Sequence, residues 1–196
     1  APNLPFKGMD VRFDLRDGIL KLDPLNLVLA DGRVEGVIEI DANPEVPPMK
    51  INLKLRQLNL HQFFKDTRFE PHTQGLFGGK VTLAGKGASL ADVLASSNGD
   101  LALIMSGGEI SLLLIEAADL DVGQALPLLL GKDKSTRINC GVINFNVNDG
   151  MLTSNVVALD TRDSLLVGNV DINLKDEAID ARLDAKPKDT SLLSLR

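Results

Sequence analysis

A catalytic or ligand-binding reading of this chain has to begin with His61 and His72, the only histidines, with Cys140, the only cysteine, and with two glycine-bearing runs. The histidines stand eleven residues apart with no carboxylate at metal-ligand spacing, and two imidazoles cannot build a three-His zinc centre. Each reads as a structural or surface side chain rather than as a ligand or general base. Cys140 has no partner for an intramolecular disulfide and reads as a small core residue. The run Gly75-Leu76-Phe77-Gly78-Gly79-Lys80-Val81-Thr82 approaches a phosphate loop. It is one residue short, and Val81 stands where the metal-binding Ser or Thr belongs. Gly85-Lys86-Gly87-Ala88-Ser89 lacks the third glycine of a dinucleotide fingerprint and reads as a strand-to-helix turn. Glu116, Asp119 and Asp121 could serve a hard cation, but a solvated helix face explains them more simply. No Ser–His–Asp or Cys–His set can be assembled without one of the lone histidines. No catalytic residue, cofactor or metal site is expected, and the chain reads as a non-enzyme.

Composition narrows the field further. The chain has 196 residues, 44% of them apolar, enough for a sizeable core and too apolar for a disordered tail. Its net charge of −6 disfavours gripping nucleic-acid phosphates or anionic headgroups by charge. With no Trp, no Tyr and seven Phe, aromatic platforms for bases or sugars have little to build with. The longest apolar stretch, Leu112 to Leu130, is broken by Glu116, Asp119, Asp121 and Pro127, and central charges are costly in hydrocarbon. No signal peptide is visible at Ala1-Pro2-Asn3. Leu192-Leu193-Ser194-Leu195-Arg196 reads as the start of another apolar element. The chain is therefore expected to be cut from a longer one that holds any anchor.

Strict apolar/polar alternation recurs in Val11–Leu15, Ile51–Leu55, Leu101–Met105, Ile143–Val147 and Val170–Leu174. Period two separates one wet face from one dry face, as in half-buried antiparallel strands. Asp17-Gly18, Asp31-Gly32, Asp149-Gly150 and Gly107-Gly108 punctuate these runs and read as hairpin turns. Asn144, Asn146 and Asn148 read as the wet face of one strand. Ser89–Ala95 reads as a short helix with a capping-box-like start, Leu60–Phe64 as a weaker helical turn, and Ser111–Leu130 as an amphipathic helical insert. Residues 11–41 laid on 143–173 match at Phe13/Phe145, Asp17/Asp149, Gly18/Gly150, Leu27/Leu159 and Gly36/Gly168. The same hairpin unit is expected twice in one curved sheet. The fold class is mainly β with a few short helices: a curved antiparallel sheet of repeated hairpins whose apolar concave face the helices partly cover. All 196 residues are assigned to a single domain.

One family shares this order of elements. Gly36-Val37-Ile38-Glu39-Ile40-Asp41 leads through a proline loop to Met49–Leu55 and Leu58-Asn59-Leu60-His61-Gln62-Phe63. Gly85–Ser89 with its helix, Asn98–Leu103, and Gly107-Gly108-Glu109-Ile110 follow. Then come Asn146–Leu152, Gly168–Ile172 and Ile179–Leu183 before Lys186-Pro187-Lys188. The pattern, clearest over residues 34–190, resembles the C-terminal periplasmic region of the AsmA family of Gram-negative envelope proteins.

The resemblance implies outer-membrane biogenesis and phospholipid movement between inner and outer membranes along an apolar β-sheet groove. It also implies a periplasmic location with an inner-membrane tether in the full-length protein, and it carries no enzymatic residues. The implied partner is phospholipid or another acyl lipid. The alternative is a protein-interaction or scaffold module offering a sheet edge or the Ser111–Leu130 helix to outer-membrane assembly proteins. Nucleic acid is not expected. The physics suits lipid: a 16-carbon chain in bare water faces a penalty of about 13 kcal/mol at ~0.8 kcal/mol per CH₂. The candidate groove residues are Ile51, Leu53, Leu55, Leu101, Leu103, Met105, Phe145 and Val147.

Overall fold

The computed structural model describes residues 5–66, 73–111, 135–162 and 164–188. Within them the chain runs up and down through β1 (Phe6–Arg16), β2 (Ile19–Leu29), β3 (Gly32–Asp41), β4 (Pro48–Asn59), α1 (His61–Phe64) and β5 (Gln74–Lys86). It continues through α2 (Leu90–Ala95), β6 (Asn98–Ser111), β7 (Ser135–Asn148), β8 (Met151–Thr161), β9 (Ser164–Asn173) and β10 (Ala178–Pro187). Every strand pairs antiparallel with its predecessor, so the spatial order of the ten-stranded sheet is the chain order, β1 to β10. The sheet is curved and does not close, leaving β1 and β10 as edges. A mainly β, antiparallel architecture is what the alternation predicts.

Local chemistry accounts for the tight turns. Asp17-Gly18 and Asp149-Gly150 take φ of 48°/76° and 47°/76°, the paired positive values of the turn that matches strand twist. The backbone N–H groups of Ala42 and Leu174 donate to the carbonyls of Gly18 and Gly150 at 2.9 Å, tying each turn to the next strand connection. Ser89 caps α2 reciprocally: its hydroxyl accepts from the Asp92 N–H at 3.1 Å while the Asp92 carboxylate accepts from the Ser89 N–H at 3.0 Å. Val93 of α2 is 2% exposed. The Gly150 N–H donates to Ser97 O at 2.9 Å, which fastens the α2 connection to the β7–β8 turn. Leu60–Phe64 supplies the single helical turn of α1. The helical insert expected over 111–130 falls on residues 112–134, which, like His72, lie outside the described residues.

Two expectations are corrected, both by bulges. Gly107-Gly108 is no hairpin turn; it lies inside β6, where the pairing with β5 slips between Gly75 and Leu76. Cys140 is exposed rather than part of the core. In β7, Ile138 faces Thr161 and Cys140 faces Asp160, so Asn139 is an extra residue that reverses the alternation. Ile138 points to the core at 1% exposure, and Cys140 points to the wet face. Further slips, at 11/13, 22/25, 55/58, 144/145 and 153/158, bend the ladder along its length. Each one raises the local twist, which curls a broad sheet.

Candidate functional site

Directly opposed residues of an antiparallel ladder share a face, so the registers trace each face across the sheet. From Ile51 the row runs one way through Ile38 and Leu22 to Phe13. It runs the other way through Leu83, Gly99, Val147, Leu152 and Ile172 to Ile179. A second row carries Val11, Leu25, Gly36, Leu53, Val81, Leu101 and Phe145. A third carries Met9, Leu27, Val34, Leu55, Gly79, Leu103, Ile143 and Val157. In a fourth, Phe77, Met105, Gly141, Leu159 and Leu166 follow one another from β5 to β9. The first of these rows is therefore apolar from β1 to β10, while the second meets Ser154 on β8. The opposite face carries Thr82, Asp100, Asn146, Thr153 and Asp171 in one row, with Lys50–Glu39 and Arg56–Glu35 ion pairs at 3.5 and 2.9 Å.

The eight sequence-designated residues all lie on the apolar face, but in three environments. Phe145 and Val147, each 3% exposed, form a closed cluster with Leu152, against which Leu83, Leu101, Ile143, Val170, Ile172 and Leu174 pack. Ile51 is buried, while Leu53 and Leu55 are half-buried along β4. Leu103 and Met105 line a pocket of about 400 Å³ on β6 to β10. Its remaining walls include Leu60, Phe77, Gly141, Ile143, Val157, Leu159, Leu166 and Leu183. Leu60 and Phe77 come from the α1 corner, where Phe63 and Phe77 pack ring against ring at 5.8 Å and 47°. The sequence-designated residues share this face, and none of them comes from β8, β9 or the α1 corner, which also line the pocket. The signal for Val157 and Leu159 was present in the matched pair Leu27/Leu159, yet only the 144/145 bulge decides which residues of β8 face inward.

No described element forms a second layer over this face. Apart from α2 on β5, every substantial contact between described elements joins neighbouring strands.

Electrostatics belong to the rim. The Lys7 ammonium, hydrogen-bonded to Asp31, holds that carboxyl below the usual range, against a smaller upward push from burial and with help from Gln62 at 2.8 Å. Lys188 and then Asn139, the latter at 3.0 Å, lower Asp160 in the same way. Both pairs clamp strand ends and neither faces the pocket. No group of three His, Cys, Asp or Glu able to hold a metal occurs among the described residues, and no described helix is long and apolar enough to cross a membrane.

The AsmA family model matches residues 1–157. The AsmA family protein YhjG of Escherichia coli (strain K12) is 27% identical over 194 residues, which is 99% of this chain and 28% of that protein. The chain thus spans under a third of the length of the relative it matches. No solved structure matches it.

Proposed function

The chain belongs to the AsmA family, and from that premise we propose that it is a non-enzymatic segment of an envelope-biogenesis protein. Its apolar, concave sheet face shields the acyl chains of phospholipid as they pass between inner and outer membranes. The protein acts in the periplasm, tethered to the inner membrane in its full-length form. The observation that carries this reading is the apolar row that crosses all ten strands from Phe13 on β1 to Ile179 on β10. Ordinarily such a face buries itself against a second sheet or helices; left open, an apolar surface of this extent marks a binding site.

The mechanism is transfer without chemistry. Each CH₂ moved from water to the groove recovers about 0.8 kcal/mol, so an aliphatic wall removes most of the barrier to extracting a lipid tail. Aliphatic side chains bind tails without regard to headgroup, and rows of similar residues offer the tail successive equivalent positions. Ile51, Leu53, Leu55, Leu101, Leu103 and Met105 are the groove wall in this reading. Phe145 and Val147 hold the sheet's shape beneath it.

The deciding experiment is native mass spectrometry of the purified protein with organic extraction of whatever accompanies it. Roughly stoichiometric phospholipid is the expected result; a lipid-free mass overturns the groove. One observation favours a second reading as a scaffold for outer-membrane assembly proteins: the free edge of β1 exposes Phe6, Met9, Phe13 and Leu15 at 52–68%, a surface suited to strand addition. A lipid-free protein that forms a stable complex with an assembly factor would select it.

A further inference from the structure

The pairing of β7 with β8 reproduces that of β1 with β2 at a spacing of 132 residues. Phe13 faces Leu22 as Phe145 faces Ser154, Met9 faces Leu27 as Gly141 faces Leu159, and the ladders slip at the same two places. Within this shared geometry two groove-face positions differ in kind: Leu22 in β2 corresponds to Ser154 in β8, and Met9 in β1 corresponds to Gly141 in β7.

Most glycines on this face are required by the backbone. A Cβ at Gly36, Gly79 or Gly168 would come within 1.9–2.3 Å of a carbonyl oxygen of the adjoining strand. Gly141 is under no such demand. Its φ is not positive, the nearest backbone atom to an added Cβ is Ala158 O at 3.9 Å, and the closest contact is the movable Leu159 Cδ1 at 2.8 Å. The backbone can carry a side chain there, as Met9 demonstrates at the corresponding register. The chain omits one where the pocket of about 400 Å³ opens.

We infer that this pocket is a seat for a single hydrocarbon chain, and that Gly141 sets its depth by leaving its floor without a side chain. The inference rests on the lipid reading above and locates where on the groove a tail stops. The volume lies within the roughly 300–1,000 Å³ of small-molecule sites. Among the described residues, no lining residue has a charged or hydrogen-bonding side chain. A headgroup placed inside would leave its polar atoms unpaired, so the occupant is an alkyl tail whose polar end stays at the rim. Leu159, Leu166 and Leu183 on one side and Met105 and Phe77 on the other are the walls the tail touches.

The test uses palmitate carrying a diazirine near its terminal methyl, photolysed with the full chain, with labelled peptides mapped by mass spectrometry. Labelling is expected on β6, β8 and β9 around Met105, Leu159 and Leu166. Gly141→Met, with unchanged circular dichroism, is expected to lower that labelling and palmitate affinity at least tenfold. Wild-type labelling confined to β1–β4, or undiminished labelling of a folded Gly141→Met protein, overturns the seat while leaving the lipid reading intact. Absence of any labelling overturns both. Should Gly141→Met fail to fold, the wild-type label map alone decides.

Discussion

Leu103 and Phe145 sit on adjacent strands of the apolar face, and their surroundings set opposite outcomes for substitution. Leu103 is half-buried on the pocket wall, where an introduced carboxylate can reach water. Leu103→Asp is expected to preserve the far-ultraviolet circular dichroism while abolishing capture of acyl lipid. Phe145 is 3% exposed inside a closed cluster, and Phe145→Ala is expected to cost about 3–5 kcal/mol in urea unfolding. At the rim, Asp31 and Asp160 have lowered carboxyl pKa values in the folded state. Their contribution to stability is present above the unfolded carboxylate pKa of about 3.9 and is lost as pH falls through the folded value. An Asp31→Asn, Asp160→Asn double variant should therefore show a flatter stability profile below about pH 4. Because both pairs are solvent-exposed, that difference is expected to be small and to shrink in high salt. Cys140 illustrates the limit of residue-level reading. Cys140 has core-like chemistry, but the extra residue at Asn139 turns it outward.

Elements carry the turns and caps, where sequence signals are strongest because the physics is local. Asp-Gly at 17–18 and 149–150 adopts the positive φ values that its residue types favour, and Ser89 with Asp92 closes the expected capping box. Gly150 has φ +76°, and a Cβ there would approach Ala95 O to 2.3 Å. Gly150→Ala is therefore expected to destabilise by more than ~1 kcal/mol. Gly8, in β1, would meet nothing within 4 Å, and Gly8→Ala should stabilise by about 0.4–1 kcal/mol. Opposite shifts in the thermal midpoint check the pair. Gly107-Gly108 has the composition of a turn but is a bulge inside β6. What separates the two outcomes is whether strands on both sides continue to pair, which composition does not encode.

Among the described residues, a ten-strand sheet in chain order has no crossover, with β1 and β10 outermost. Stability should grade from centre to edge, because central strands pair on both sides and contribute to the Phe145–Val147–Leu152 cluster. Native-state hydrogen exchange is expected to be slowest for central β7 amides and faster by orders of magnitude along β1. Uniform protection across all ten strands would show the sheet to open only as one unit. The outer strand β1 of the described sheet also carries the scaffold alternative, since it presents exposed apolar side chains.

Period-two alternation, the Asp-Gly turns at 17–18 and 149–150 and the serine cap were enough to establish an antiparallel β chain, two of its hairpin turns and a shared face for Ile51, Leu53, Leu101 and Leu103. Each of those features is set by neighbours within a few residues. The division of that face into a closed cluster at Phe145 and an open pocket at Leu103 was not legible. It depends on where bulges reverse the alternation, on how far the accumulated twist curls the sheet, and on Gly141 coming to lie between Met105 and Leu159. Those are contacts between strands distant in sequence, so the tertiary structure alone decided them.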